Sequence, residues 1–140
     1  MDIDLALLAD AATVDSGGKL NILGIFDRIN ASSFPARHGR VALVVRFTAG
    51  VHEAGEHEVE IVLRDPQGEK VVGLDGKIHF GPGPRYTGGE IRVPHVLNLD
   101  GLVFKEPGRY SFDLRVDGQH HRSLPLTVVS ATGAGGPARA

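Results

Sequence analysis

Residues 107–129 read Pro-Gly-Arg-Tyr-Ser-Phe-Asp-Leu-Arg-Val-Asp-Gly-Gln-His-His-Arg-Ser-Leu-Pro-Leu-Thr-Val-Val, and this stretch decides the fold class. Tyr110, Phe112, Leu114 and Val116 alternate with Ser111, Asp113, Arg115 and Asp117. A period of two places the apolar four on one face of a strand and the polar four in water. Asp117-Gly118 then supplies two residues that tolerate the positive φ of a tight hairpin turn. Leu124, Leu126 and Val128 resume the alternation on the return. The pattern specifies an antiparallel hairpin, and with it an all-β class.

Working back toward the N-terminus, the same alternation recurs between turn signals. Ile3 to Val14 and Lys19 to Ile29 flank Asp15-Ser16-Gly17-Gly18, a cluster suited to reversing the chain. The first of these reads as a strand, with a helix through Leu5, Leu7 and Leu8 as the competing reading. The second is apolar on both parities, which is expected of a central strand covered on both faces. Gly24 in its middle implies a bulge or a close approach by another backbone. Asn30 to Arg40 reads as a loop over an apolar plug, Phe34-Pro35. Val41, Leu43, Val45 and Phe47 alternate in a third strand, and Val59, Ile61 and Leu63 in a fourth. Asp65-Pro66-Gln67-Gly68 is a hairpin turn, because proline pre-sets φ and glycine closes the turn at positive φ. Lys70 to Phe80 is the return strand, and Ile91 to Leu99 the next. Pro94 and Pro125 cannot donate to a ladder, so their strands belong at sheet edges or bulges.

About eight strands and turns at near-regular spacing predict a two-sheet antiparallel β-sandwich. The turn at Pro107-Gly108 followed by Tyr110 opening an alternating strand predicts an immunoglobulin-like arrangement, with Tyr110 hydrogen-bonding back to nearby backbone. At 140 residues the chain has the length of one domain, and burial of roughly 68% of the unfolded surface is expected at that size. Residues 1–130 are expected to form that domain, and residues 131–140, built of Ala, Gly and Pro with one Arg, a flexible tail.

Composition limits the functions to consider. There is no cysteine, which excludes disulfides and thiolate metal sites and fits a reducing compartment. A net charge of −2 with scattered Lys and Arg gives no general attraction to phosphate backbones or anionic lipid. Asp2 and Asp4 stand where a secretory signal needs positive charge, and no apolar run approaches the roughly 20 residues of a membrane span. A cytoplasmic protein that binds neither nucleic acid nor membrane is the expectation.

The seven histidines are His38, His52, His57, His79, His95, His120 and His121. Neighbours on a strand face opposite ways, so His120 and His121 cannot chelate one ion together. His52 and His57 with Glu53, Glu56 and Glu58 could form at most an adventitious site, and no physiological metal or cofactor is expected. His95 shares the parity of Val93, Leu97 and Leu99, which points it inward as a core or edge histidine unless a bulge at Pro94 turns it out. If buried, its neutral ring would make the fold acid-sensitive. No serine sits in a Gly-x-Ser-x-Gly elbow, and no spacing brings a Ser, a His and an Asp together. Gly81-Pro82-Gly83-Pro84-Arg85-Tyr86-Thr87-Gly88-Gly89 lacks a phosphate-loop ending and reads as an irregular loop. Its Arg85, Tyr86 and Thr87, with His95, are the candidate binding residues.

Ala9-Asp10-Ala11-Ala12-Thr13-Val14, then Gly18-Lys19-Leu20-Asn21-Ile22-Leu23-Gly24-Ile25-Phe26-Asp27, then Phe34-Pro35-Ala36-Arg37-His38 and the later Pro-Gly-x-Tyr-x-Phe carry a resemblance. Together they resemble a bacterial family of small single-domain proteins described only as a domain of unknown function, over about residues 3 to 129. The resemblance implies a small cytoplasmic β-sandwich and no assigned activity. Two functions follow. The first is a non-catalytic interaction or assembly module that presents an edge strand or loop face to a protein partner or to its own copy. The second is a small-ligand-binding domain or atypical enzyme built on residues 79–95.

Overall fold

The structure, a computed structural model, describes residues 1–83 and 86–131. Among these, nine strands follow one another: β1 (Asp2–Val14), β2 (Leu20–Phe26), β3 (Arg28–Ala31), β4 (Ala36–Ala49), β5 (Gly55–Arg64), β6 (Lys70–Phe80), β7 (Ile91–Phe104), β8 (Gly108–Val116) and β9 (Gln119–Ser130). A single 3-10 turn, Val51–Glu53, joins β4 to β5. No helix among the described residues is long and apolar enough to cross a membrane. The strands form two sheets. Sheet A has the order β2-β1-β4-β7, and sheet B the order β3-β9-β8-β5-β6.

One core lies between them. Leu8, Val41, Leu43, Val45 and Phe47 come from sheet A, and Ile61, Leu63, Phe112, Leu114, Leu126 and Val128 from sheet B. The alternation at the C-terminal hairpin is visible directly in burial: Tyr110, Phe112, Leu114 and Val116 are 1–2% exposed. Asp117 and Gly118 take φ of 51° and 81° and close that hairpin. At the other predicted hairpin, Gly68 takes φ 85° and donates to the Asp65 carbonyl at 2.9 Å. Tyr110 makes the expected corner. Its hydroxyl donates to the Glu106 carbonyl at 2.8 Å, and its ring packs edge-on against Phe104 with centroids 5.0 Å apart. Phe34 packs against the core as the plug expected.

Four features differ from the sequence reading. Lys19 to Ile29 is not one central strand. The chain leaves sheet A at Asp27 and enters sheet B as β3, so β2 is an edge strand, and its outward parity is bare, with Leu23 73% and Ile25 66% exposed. Asn30 to Arg40 is not all loop, because β3 ends at Ala31 and β4 begins at Ala36. The sheets are not wholly antiparallel, since β3 runs parallel to β9 from Arg28 opposite Thr127 to Ala31 opposite Ser130. Finally, β9 is not an edge along its whole length. Pro125 stands before the stretch that β3 covers, where its missing N–H costs no ladder bond. Pro94 lies on β7, an edge strand as expected, and no register shift interrupts the β4–β7 pairing there.

Candidate functional site

A cavity of about 220 Å³ lies between the sheets beneath β6 and β7, the edge strands of sheets B and A. Alternation on six strands builds its wall: Ile3 from β1, Leu43, Val45 and Phe47 from β4, Val59 and Ile61 from β5, Leu74 and Ile78 from β6, Leu97 from β7, and Leu114 and Val116 from β8. Asp75, Gly76, Lys77 and His95 complete the lining. His95 follows the inward parity of Val93 and Leu97, and pairs across the ladder with Val45. It is nevertheless exposed, because β7 has no neighbour beyond it and the ring stands at the rim. The edge alternative for His95 therefore holds, and the acid sensitivity expected of a buried ring loses its premise.

The other candidate residues lie elsewhere. Tyr86 is half-buried, its N–H donates to the Gly83 carbonyl at 3.0 Å, and its hydroxyl donates to the Gly89 carbonyl at 2.8 Å. Those bonds fold the loop upon itself. Thr87 is exposed, and Arg85 is outside the described residues. Neither Tyr86 nor Thr87 lines the cavity that His95 borders.

Hairpin pairing does bring a serine, a histidine and an aspartate together, which spacing alone was not expected to do. Asp113 pairs across the ladder with Ser123. The Ser123 hydroxyl donates to Asp113 Oδ1 at 2.9 Å and meets His120 Nε2 at 2.8 Å. Spacing alone did not give it: equidistance from Asp117-Gly118 pairs Asp113 with Arg122, and a register shift between Leu114 and Arg115 brings Ser123 opposite instead. The order of the chain differs from that of a catalytic triad. A nucleophilic serine gives its proton to a histidine oriented by the acid. Here the serine lies in the middle and its proton is directed to the acid, which also takes Arg64 Nε at 3.0 Å.

His57 lies on β5 near the start of sheet B. Its Nδ1 is 2.6 Å from Asp117 Oδ2, and its Nε2 is 2.6 Å from the Glu53 carbonyl oxygen. A carbonyl can only accept, and a carboxylate accepts when ionised, so the ring satisfies both partners only as an imidazolium. The Asp117 hydrogen bond, with that from Glu53, raises its pKa above the usual imidazole value against a smaller desolvation effect. The same bond, with that from the Glu58 N–H, lowers the pKa of Asp117. No group of three or more His, Asp or Glu among the described residues is placed to hold a metal ion.

The outer face of sheet A is a further feature, which the sequence reading passed over. Side chains alternate with the inner set, so Ile25, Ala9 and Ala42 form one row across β2, β1 and β4. Leu23 and Ala11 form a second, and Leu7, Val44 and Val96 a third. The apolar rows end at an ion-paired margin, where Arg46 holds Asp4 through two bonds of 2.9 and 3.0 Å.

Comparison with known proteins places the chain. No curated protein matches it. Among solved structures it is similar to the Pseudomonas fluorescens alkylpurine DNA glycosylase AlkC bound to DNA containing an abasic site analogue, with 12% identity and a TM-score of 0.47. That similarity covers 92% of this chain and 30% of the glycosylase chain, so this chain spans under a third of its length. A family model matches residues 4–129, the region over which the opening and closing motifs fall, and the chain thus belongs to the family of unknown function DUF6941.

Proposed function

We propose that the chain is a non-catalytic β-sandwich module, immunoglobulin-like in its tyrosine corner, that assembles with a second copy of itself through the β2 edge and outer face of sheet A. The observation that carries this reading is the state of the four edge strands. Natural sheets blunt their edges with charge, proline or brevity, because an open edge is a template for pairing. β7 carries Pro94, β6 carries Lys70, Asp75 and Lys77, and β3 is four residues long. β2, Leu-Asn-Ile-Leu-Gly-Ile-Phe, has no charge and no proline. It also carries the two most exposed large apolar side chains, Leu23 and Ile25. An antiparallel pairing of β2 with its own copy across a two-fold axis would satisfy its free backbone groups and cover these side chains. A net charge of −2 opposes such pairing little.

Light scattering coupled to size exclusion tests this, comparing the natural chain with a Leu23→Lys, Ile25→Lys double variant. The natural chain is expected to be dimeric and the variant monomeric, with urea midpoints that coincide once the natural chain is diluted to its monomer, since exposed sites contribute little to stability and association adds to it by mass action. A natural chain that stays monomeric across the accessible concentration range would sink the reading.

A further inference from the structure

We infer that the cleft beneath β6 and β7 is a binding site for a short unbranched aliphatic carboxylate. Its wall is aliphatic and aromatic throughout its depth, from Leu74 and Ile78 at the edge to Phe47 and Ile61 within. At about 220 Å³ it is smaller than the roughly 300–1,000 Å³ that holds a drug-sized molecule, which suits a narrow chain better than a ring system.

Gly76 is the observation that singles the cleft out. It occupies the inward parity of β6 between Leu74 and Ile78, where a side chain belongs in the wall. Its φ is not among the positive values, so the backbone does not require glycine there. A Cβ built at this position meets nothing within 4 Å, so packing does not require glycine either. Glycine inside a strand weakens it. Its effect here is a gap in the edge wall, beside the partly exposed Leu74, that leads into the apolar interior.

The head group follows from the rim. His95 is the one ionisable lining residue on an inward parity, and its ring N–H can donate into the mouth. Asp75 and Lys77 flank Gly76 on the outward parity, where Lys77 faces Glu58 and Asp75 faces Glu60 across the ladder, so neither side chain enters the mouth. His95 is then the donor at the mouth and no inward acid accompanies it, so the rim suits a carboxylate better than an ammonium. The apolar chain occupies the wall, and the carboxylate stays at the surface with His95.

The probes are octanoate and octylammonium below their micelle concentrations, followed by methyl resonances of Ile78 and Leu97 and by calorimetry. Octanoate is expected to bind and to shift both resonances, and octylammonium to bind at least about tenfold more weakly. Gly76→Val should fold, because valine suits a strand, and should lose octanoate binding by about tenfold or more. Gly76→Ala should lose part of it, which keeps the test open if the valine variant fails to fold. His95→Ala should weaken octanoate by about tenfold and leave octylammonium unchanged. Unmoved resonances at saturating octanoate, or full affinity in both Gly76 variants, would overturn the site. Equal binding of the two probes would overturn the carboxylate. A dimer that dissociates in Gly76→Val would make a second copy the occupant and overturn the ligand. The Leu23→Lys, Ile25→Lys variant should bind octanoate normally, so this inference and the assembly reading fail separately.

Discussion

Two residues show how a single atom in this chain is fixed by its surroundings. Gly24 sits opposite Asp10 in the β1–β2 ladder, whose register continues unbroken past it. Neither the bulge nor the close approach of another backbone is found there, since the nearest group is the Asp10 side chain. The φ of Gly24 is 73°, and a Cβ would fall 2.3 Å from Asp10 Oδ2. Alanine at this position must adopt a left-handed conformation, which costs about 1–2 kcal/mol. The carboxylate can swing away, so the backbone dominates the penalty. Gly24→Ala should therefore destabilise by about 1–2 kcal/mol in urea denaturation, and Asp10→Ala added to it should recover only a minor share. Full recovery in the double variant would show that the clash, and not φ, sets the residue. Tyr110 is the second case. Its ring is 1% exposed and its hydroxyl donates to the Glu106 carbonyl at 2.8 Å and accepts from the Glu106 N–H at a long 3.5 Å, so Tyr110→Phe keeps the packing and removes one short bond and one weak one. A loss of about 1 kcal/mol is expected, well below the roughly 3–5 kcal/mol of Phe112→Ala, which leaves a void in the core. Equal losses for the two variants would refute the division between bond and packing.

At the scale of strands, what could be read from the sequence depended on whether one face of the strand met water. β8 has a dry face and a wet face, so Tyr110 to Val116 alternates and its burial follows position by position. β4 is central, and its outward Ala42 and Val44 are covered by neighbours on the same face, so Val41 to Val45 is buried on both sides. β2 has the same two-sided apolar signature from the opposite cause. Its inward Phe26 packs against the core and its inward Ile22 is half-buried, while its outward Leu23 and Ile25 meet solvent. Composition cannot separate a strand covered twice from an edge left uncovered, because both remove the polar parity. The break at Asp27 was also hidden. Arg28 to Ala31 continues the apolar alternation, and the passage to the other sheet shows only in long-range pairing, which opens with the hydrogen bond from the Thr127 N–H to the Asp27 carbonyl at 2.9 Å and continues in the β3–β9 ladder. That bond joins residues far apart in sequence, beyond the reach of a local pattern. The candidate site divides similarly. His95 was placed on the inward parity correctly, whereas Gly76 gave no signal, because a glycine near a second glycine in an edge strand reads as weak structure.

For the molecule as a whole, the crossover between the sheets carries a charge whose protonation affects global stability. The turn Val51–Glu53 takes the chain from β4 in sheet A to β5 in sheet B. His57 ties that crossover to the β8–β9 hairpin by bonding the Glu53 carbonyl and the Asp117 carboxylate together, with its ring against Phe80 at 5.1 Å between centroids. Other charges nearby are the Glu53 carboxylate, which takes the Met1 amino group, together with His52 near Glu53 and His121 near Asp117. Folding raises the pKa of His57, so its contribution is complete below the unfolded value of about 6.5 and disappears as pH rises through the folded value. Folding lowers the pKa of Asp117, so its contribution is present above the unfolded value of about 3.9 and disappears as pH falls through the folded value. The pair is therefore strongest between about pH 4 and pH 6.5. His57→Gln keeps a polar side chain but no charge. Its urea midpoint should fall furthest below the natural chain within that window, and the gap should narrow on the alkaline side as the natural imidazolium deprotonates. Asp117→Asn should flatten the same alkaline limb, because without the carboxylate the main cause of the raised histidine pKa is gone. A gap between the natural chain and His57→Gln that stays constant from pH 5 to pH 9 would mean that the ring acts by shape alone.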